Sequence, residues 1–441
     1  MNTMRKWFTP FRIIIFAFAG IILAGTLLLM LPVSSASGSR TEFGQALFTA
    51  TSSVCVTGLV VHDTSTYWSL FGQSVILIMI QIGGLGIVTV AASFFLLSGR
   101  KTTLIQRSTM QKSISAQTVG GIVDLMRFVI ITTFIFELAG AALLSPFFTA
   151  RYGAKGILMA LFHSVSAFCN AGFDVMGART GEYSSFTSFA RDIGINVIVM
   201  FLIIFGGIGF LTWNDIFINK LHFKHYRLQS KIILVTTLVL IVVPAVLFFF
   251  IDFTGLPLKE RILSSLFQSV TARTAGFNTT DLNAMTAAGQ SMLIVLMLIG
   301  GSPGSTAGGM KTTTIAVLIV NARACFRQQG DVKCFKRRIN SDAVRMASTM
   351  FMLYIVLSFC GAYVISIVEK LPFYKCLFET ASALGTVGLS LGITTQIGAL
   401  SHGILIALMF IGRVGGLTLI YAALKKQNNN TKLPLESITV G

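Results

Sequence analysis

Four times in 441 residues the chain repeats one short pattern: a Leu-Phe pair followed by a polar residue, then a glycine-centred loop. The copies read ALFTATSSVCVTGLV (46–60), ALFHSVSAFCNAGFD (160–174), SLFQSVTARTAGFN (265–278) and CLFETASALGTVGLS (376–390), each lying between two long apolar runs. The step from Phe to Gly is ten residues in copies one, two and four and nine in copy three. Internal repetition constrains an architecture before any local propensity does. The helical part of each copy, about ten residues, is half of what a bilayer-spanning helix needs. It must enter the membrane and return, and irregular backbone at that depth is tolerated only where it is buried in protein or lines a wet cavity. Four such loops can surround one axis.

The surrounding sequence is membrane protein. Apolar residues make up 54% and charged residues 11%, against about 25% charge in a soluble domain. The N-terminal apolar run resembles a signal peptide but is longer than the roughly 7–15 residues of such a segment, so it reads as the first span. Eight spans are expected, at about 12–32, 73–98, 122–147, 192–213, 230–251, 289–320, 346–368 and 402–424. The repeats fall between the members of four pairs. The expected fold is an all-α polytopic membrane protein with four pseudo-symmetric helix–pore loop–helix repeats around a central pore. The units are 1–98, 99–213, 214–320 (with an intramembrane gating loop) and 321–441 (with the C-terminal tail).

The net charge of +18 is a topology signal rather than a nucleic-acid footprint, because most Lys and Arg lie on one set of connections. Basic short loops stay cytoplasmic, which puts both termini inside and the repeats outside. The cluster Lys333, Lys336, Arg337 and Arg338 is suited to anionic lipid or an acidic partner. The six cysteines form no CxxC pair and indicate neither a disulfide framework nor a metal site.

The chemistry is expected in the loops. The triplets are Val56-Thr57-Gly58, Asn170-Ala171-Gly172, Thr274-Ala275-Gly276 and Thr386-Val387-Gly388. A dehydrated cation needs a ring of oxygens, and main-chain carbonyls supply them without a full charge that would trap it. Glycine frees the backbone to turn those carbonyls inward. The C-termini of the half-helices carry partial negative charge and favour a cation. The polar residues after each Leu-Phe, Thr49, His163, Gln268 and Glu379, are candidates to anchor the half-helices. Asp63, Asp174 and Asp281 follow three of the loops and either concentrate cations at the mouth or tie loop backbone.

The sixth apolar run contains Gly300-Gly301-Ser302-Pro303-Gly304-Ser305-Thr306-Ala307-Gly308-Gly309. So many glycines around a proline break a helix in mid-membrane, and a polar break there should line the conduction path. Gly304 to Thr312 nearly spells a phosphate-binding loop, but Met310 separates the second glycine from Lys311 and no soluble strand precedes it. Gly83 to Gly86 is likewise no dinucleotide fingerprint. Arg413, deep in the last run, costs at least about 2.5–3.5 kcal/mol to insert and is a functional candidate for that reason. Lys311 lies similarly deep and is placed to bond the carbonyls of the broken helix. Glu137, in the third span, receives no role.

With VTGL, CNAGF, RTAGF and GTVGL in the four loops, the chain resembles the Trk/Ktr/HKT superfamily of potassium transporters over nearly its whole length. It looks most like the membrane subunit of a bacterial Ktr system. The resemblance implies K+ permeation with a glycine in each filter copy; a serine in the first copy accompanies Na+ preference in plant members, and here all four are glycine. It implies that 300–309 is a gating loop below the filter and that Arg413 is the pore-facing arginine, repelling ions and pairing with that loop or with a filter-side acid. It further implies a homodimer with one pore per subunit in the bacterial plasma membrane. The implied partner is a cytosolic ring of RCK/Rossmann-type subunits binding ATP or ADP, with Na+ stimulation as an added feature. No organic cofactor in this chain and no nucleic-acid partner are expected.

Three rivals remain open on the residues alone. A Na+-preferring or weakly selective conduit shares the fold. A secondary transporter would use the broken sixth helix as a substrate site, yet predicts two-fold rather than four-fold repetition. A membrane enzyme needs a cluster of catalytic His, Asp, Glu or Cys in the spans, and none is apparent.

Overall fold

A computed structural model describes residues 10–86, 89–90, 104–113, 121–220, 222–416, 418 and 436. The expected basic N-terminus, most of 87–98, nearly all of 417–424 and the C-terminal lysines lie outside them. Four helices are long and apolar enough to cross a membrane: α1 (Pro10–Leu29), α5 (Ile122–Tyr152), α9 (Leu228–Ile251) and α13 (Ser341–Glu369). They are runs of Ile, Leu, Val, Phe and Ala, and their outward faces expose large apolar side chains: Leu27 at 65%, Leu138 at 61%, Leu238 at 63% and Met352 at 63%. Apolar surface of that extent requires lipid or another apolar cover.

Each long helix is followed by a short one that holds a repeat: α2 (Phe43–Val54), α6 (Lys155–Phe168), α10 (Leu258–Thr271) and α14 (Phe373–Gly385). These inner helices invert the usual pattern. Thr51, Ser52, Ser53, Ser164, Ser166, Ser269, Thr271, Thr380 and Ser382 are buried on them, so the polar content of the molecule is gathered at its centre. The remaining helices of ten or more described residues are α3 (Leu70–Leu85), α4 (Leu104–Ser113), α7 (Ile193–Ile208), α8 (Phe210–Asn219), α11 (Ala287–Leu298), α12 (Thr312–Phe326) and α15 (Ala399–Val414). A two-stranded antiparallel hairpin, β1 (Lys333–Cys334) with β2 (Arg337–Arg338), presents the basic cluster.

Of the eight expected spans the sixth was expected to be broken at 300–309, and the second, fourth and eighth are broken as well. The second run of every pair is interrupted at a glycine in the left-handed region: Gly86 (φ +83°), Gly209 (φ +97°), Gly304 (φ +66°) and Gly415 (φ +90°). At Gly209 the chain bends by 94° between α7 and α8. By length and composition the described residues therefore hold four spanning helices, or five with that bent pair.

The breaks form a second repeat: Gly83-Gly84-Leu85-Gly86, Gly206-Gly207-Ile208-Gly209, Gly300-Gly301-Ser302-Pro303-Gly304 and Gly412-Arg413-Val414-Gly415. The first glycine of each lets backbone meet backbone, as small residues do between membrane helices. A Cβ on Gly83 would stand 2.1 Å from Val54 O, on Gly206 1.9 Å from Phe168 O and on Gly412 2.1 Å from Leu384 O. All three carbonyls belong to the C-terminal ends of inner helices. In the third unit a Cβ on Gly300 would instead meet Gly308 O at 2.3 Å, within its own loop.

Gly206→Val should therefore destabilise the folded protein by about 1–3 kcal/mol, the usual range for overpacking, and lower its melting temperature in detergent. The same change at Gly20, with nothing within 4 Å of its Cβ position, should leave melting near wild type.

Candidate functional site

The four triplets end the four inner helices in one recurring backbone form. The first residue of each is left-handed, with φ of +56° at Val56, +57° at Asn170, +79° at Thr274 and +51° at Thr386. The glycine two residues later is left-handed again, at +89°, +68°, +79° and +96°. Val56 is β-branched, so this conformation is a genuine outlier held by its surroundings.

The glycines then close a cycle. A Cβ on Gly58 would lie 2.5 Å from Ala171 O, on Gly172 2.7 Å from Ala275 O, on Gly276 2.2 Å from Val387 O and on Gly388 2.2 Å from Thr57 O. Each copy touches the next and the fourth touches the first. The shorter third copy closes the ring like the others, because Ala275 N–H and Gly276 N–H both return to Thr271 O, at 2.9 and 3.4 Å.

A set of residues missed in the sequence holds the loops open. Four residues after each Phe stands a hydroxyl: Ser52, Ser166, Thr271 and Ser382. Ser52 Oγ accepts from Gly58 N–H at 3.1 Å and Ser382 Oγ from Gly388 N–H at 3.0 Å. Ser166 Oγ donates to Phe173 O at 2.7 Å and Thr271 Oγ1 to Phe277 O at 2.6 Å. The fixed offset from Phe was the available signal.

Among the polar residues after Leu-Phe, two clamp the returning strand. His163 Nε2 accepts from Val175 N–H at 3.2 Å. Glu379 accepts from Ser390 Oγ at 2.5 Å, Leu391 N–H at 3.2 Å and Thr394 Oγ1 at 2.8 Å. Gln268 is buried with neither amide atom bonded among the described residues, and Thr49 is buried as well.

Below the triplets the loop 300–309 is wedged between units. Asn170 Nδ2 donates to Thr306 Oγ1 at 3.0 Å, and that hydroxyl donates to Phe168 O at 2.9 Å. Ser302 N–H and Thr306 N–H donate to Gly207 O and Gly206 O at 3.0 and 3.2 Å. A Cβ on Gly308 would meet Thr386 Oγ1 at 2.1 Å, and one on Gly309 would meet Gly385 O at 2.9 Å. Lys311 Nζ donates to Ala307 O at 2.9 Å and Gly308 O at 3.3 Å, closing the loop on itself. Gly301, Pro303, Gly304 and Ser305 complete the turn, with Phe210 N–H donating to Gly304 O at 2.8 Å.

Arg413 binds carbonyls, not the acid that was one of its two expected partners. Its guanidinium donates to Thr306 O of the loop, to Gly83 O, and to Gly84 O at 3.1 Å. In the repeated break it stands at the position that Gly84, Gly207 and Gly301 hold in the other three units.

Beyond the glycines lies a cavity of about 330 Å³, lined by all four of them and by Asp63, Asp174 and Asp281. These acids also tie backbone. Asp63 accepts from Ser65, Thr66 and Tyr183 N–H, Asp174 from Met176 N–H and Asp281 from Asn283 N–H. Burial pushes the Asp174 carboxyl up to about 7, opposed by the Met176 N–H and reinforced by the nearby Asp63 charge.

This arrangement defines a polytopic membrane protein whose four inner helices end on one ring of backbone, the class of proteins that pass small solutes rather than transform them. A family model described as TrkH, cation transport protein, matches residues 2–433, and the chain belongs to that family. It is 38% identical to the potassium/sodium uptake protein NtpJ of Enterococcus hirae, covering 99% of this chain and 98% of that protein. It is 35% identical to the Ktr system potassium uptake protein B of Bacillus subtilis over the same shares. The crystal structure of the potassium transporter TrkH from Vibrio parahaemolyticus superposes with a TM-score of 0.73 at 20% identity, covering 94% of this chain and 84% of that one.

Removing the Ser52 hydroxyl leaves Gly58 N–H buried without its acceptor, which costs about 1–3 kcal/mol. Ser52→Ala should lower the melting temperature clearly, whereas Ser74→Ala, on an exposed face, should shift it by no more than about 0.5 kcal/mol in stability.

Proposed function

We propose that this chain takes up K+ across the bacterial plasma membrane, through a carbonyl-lined filter formed by the four triplets. The observation that carries the reading is the closed cycle of Gly58, Gly172, Gly276 and Gly388, each against a carbonyl of the next copy. A second supports it. Every triplet holds a buried oxygen with no protein partner among the described residues: Thr57 Oγ1, Asn170 Oδ1, Thr274 Oγ1 and Thr386 Oγ1. Unpaired buried polar atoms call for an explanation, and a partly dehydrated cation on the axis provides one. The potassium and potassium/sodium uptake named for the relatives agrees with it.

The membrane potential supplies the driving force, about 2.3 kcal/mol per charge per 100 mV, so this chain needs no hydrolysis of its own. The loop 300–309 is the gate. Its connection to Arg413 holds it shut beneath the filter, and the guanidinium adds positive charge in the path of a cation. Opening requires the loop to leave Arg413 and Asn170, and α12, which continues from the loop to the basic hairpin, is the lever by which a cytosolic subunit can pull. That subunit is a nucleotide-binding ring of the Ktr type, consistent with the system naming of the relatives. The chain works as a homodimer with a pore in each subunit, both termini cytoplasmic, and Na+ stimulates rather than replaces K+ flux. The alternative, a Na+-preferring conduit, is disfavoured by glycine at all four positions, and it stands if Na+ flux equals or exceeds K+ flux.

The test is rubidium tracer flux into liposomes holding the purified chain, with Na+ as competitor. Wild type should prefer Rb+. Gly58→Ser, which drives a side chain against Ala171 O, should reduce the preference about tenfold, or about 1.4 kcal/mol of discrimination. Deletion of 300–309 should give flux independent of any cytosolic partner. Well-folded wild type with no cation flux even alongside its regulatory subunit contradicts the reading.

The vestibule adds a pH signature. Asp174, with its carboxyl near 7, is charged above that pH and neutral below it. Uptake at low K+ should rise as pH is raised through about 7, and Asp174→Asn should flatten the rise.

A further inference from the structure

Behind the second triplet lies a buried acid that the proposed transport does not use. Glu137 is 2% exposed, within α5. In three units the hydroxyl two residues after the Leu-Phe phenylalanine donates to a carbonyl of the preceding long helix. Ser164 donates to Glu137 O at 2.6 Å, Ser269 to Ile241 O at 2.7 Å and Thr380 to Ser358 O at 3.0 Å. These bonds make Glu137, Ile241 and Ser358 equivalent positions, and only the second unit has an acid there.

The Glu137 carboxylate reaches two elements at once. Oε2 accepts from Gln81 Nε2 at 3.0 Å, and Oε1 faces the Cys169 thiol at 3.6 Å. Cys169 caps α6 and is followed directly by Asn170, the first residue of the second triplet. Gln81 stands on α3 two residues before Gly83, and Gly83 and Gly84 offer the carbonyls that Arg413 binds. The two sides are in close contact, since a Cβ on Gly84 would lie 2.5 Å from Cys169 Sγ. Asn170 also reaches the gating loop through Thr306. One carboxylate is thus shared by the strand that carries a filter copy and the helix that anchors the arginine.

We propose that Glu137 is a selectivity-positioning residue, fixing the second filter strand relative to the Arg413 anchor through paired hydrogen bonds to Cys169 and Gln81. The inference rests on the reading of the triplets as a filter. Its role is hydrogen bonding, so a side chain of the same shape with one carbonyl oxygen and an amide can replace it, whereas a truncated one leaves Gln81 without its buried acceptor.

The test uses the full chain in liposomes and compares wild type, Glu137→Gln, Glu137→Ala and Gln81→Leu by Na+ competition against Rb+ flux, with melting temperature recorded for each. Na+ should compete about threefold or more better in Glu137→Ala and Gln81→Leu than in wild type, a coupling within the range for residues of one network. Glu137→Gln should stay near wild type. Wild-type selectivity in a folded Glu137→Ala overturns the inference, and so does Glu137→Gln as impaired as Glu137→Ala. If Glu137→Ala does not fold, Gln81→Leu decides by the same criterion. Absence of Rb+ preference in wild type would instead defeat the filter reading itself.

Discussion

The structure depends on backbone meeting backbone where side chains are missing. Four glycines allow four loop carbonyls to converge, and three more, Gly83, Gly206 and Gly412, let the second helices press against the ends of the inner helices at Val54, Phe168 and Leu384. Neither contact survives a Cβ. Val56, Thr274 and Thr386, the β-branched residues that open three of the triplets, are strained in isolation, and the four hydroxyls at Ser52, Ser166, Thr271 and Ser382 fasten the turns. The long helices supply the apolar exterior, while the polar interior is the product of these close approaches.

On this near four-fold frame the departures cluster around one guanidinium and one loop. The second glycine of the repeated break becomes Arg413 in one unit only, and its charge is satisfied by carbonyls of two other units. The third break carries an extra residue and, with Pro303, unwinds into the loop 300–309. Thr306 is where these meet, bonded to Arg413, Asn170 and Phe168. In the proposed reading, the asymmetric loop and the single cation form one contact that a single movement can release.

Much of this was legible in the chain. The triplets stood out because Leu-Phe and Gly keep a fixed offset, and 300–309 and Arg413 because glycine, proline and charge are conspicuous in apolar runs. The breaks in the second, fourth and eighth spans were missed because hydropathy is blind to a glycine turn: Gly86, Gly209 and Gly415 lie in apolar stretches. The repeat of Gly83-Gly84, Gly206-Gly207, Gly300-Gly301 and Gly412-Arg413 went unseen because each copy is short and its role is a close approach between segments distant in sequence. The bonding of Glu137 was out of reach for a similar reason, since Gln81 and Cys169 lie 56 and 32 residues away.

The central claim is that the four triplets coordinate the transported ion, and anomalous diffraction from crystals grown with Rb+ or Tl+ tests it most directly. The account predicts a peak on the axis inside the ring of Gly58, Gly172, Gly276 and Gly388, weakened when Na+ replaces the heavier ion only at large excess. An ordered ring with no peak, and ion density found instead along the broken third unit alone, would contradict it.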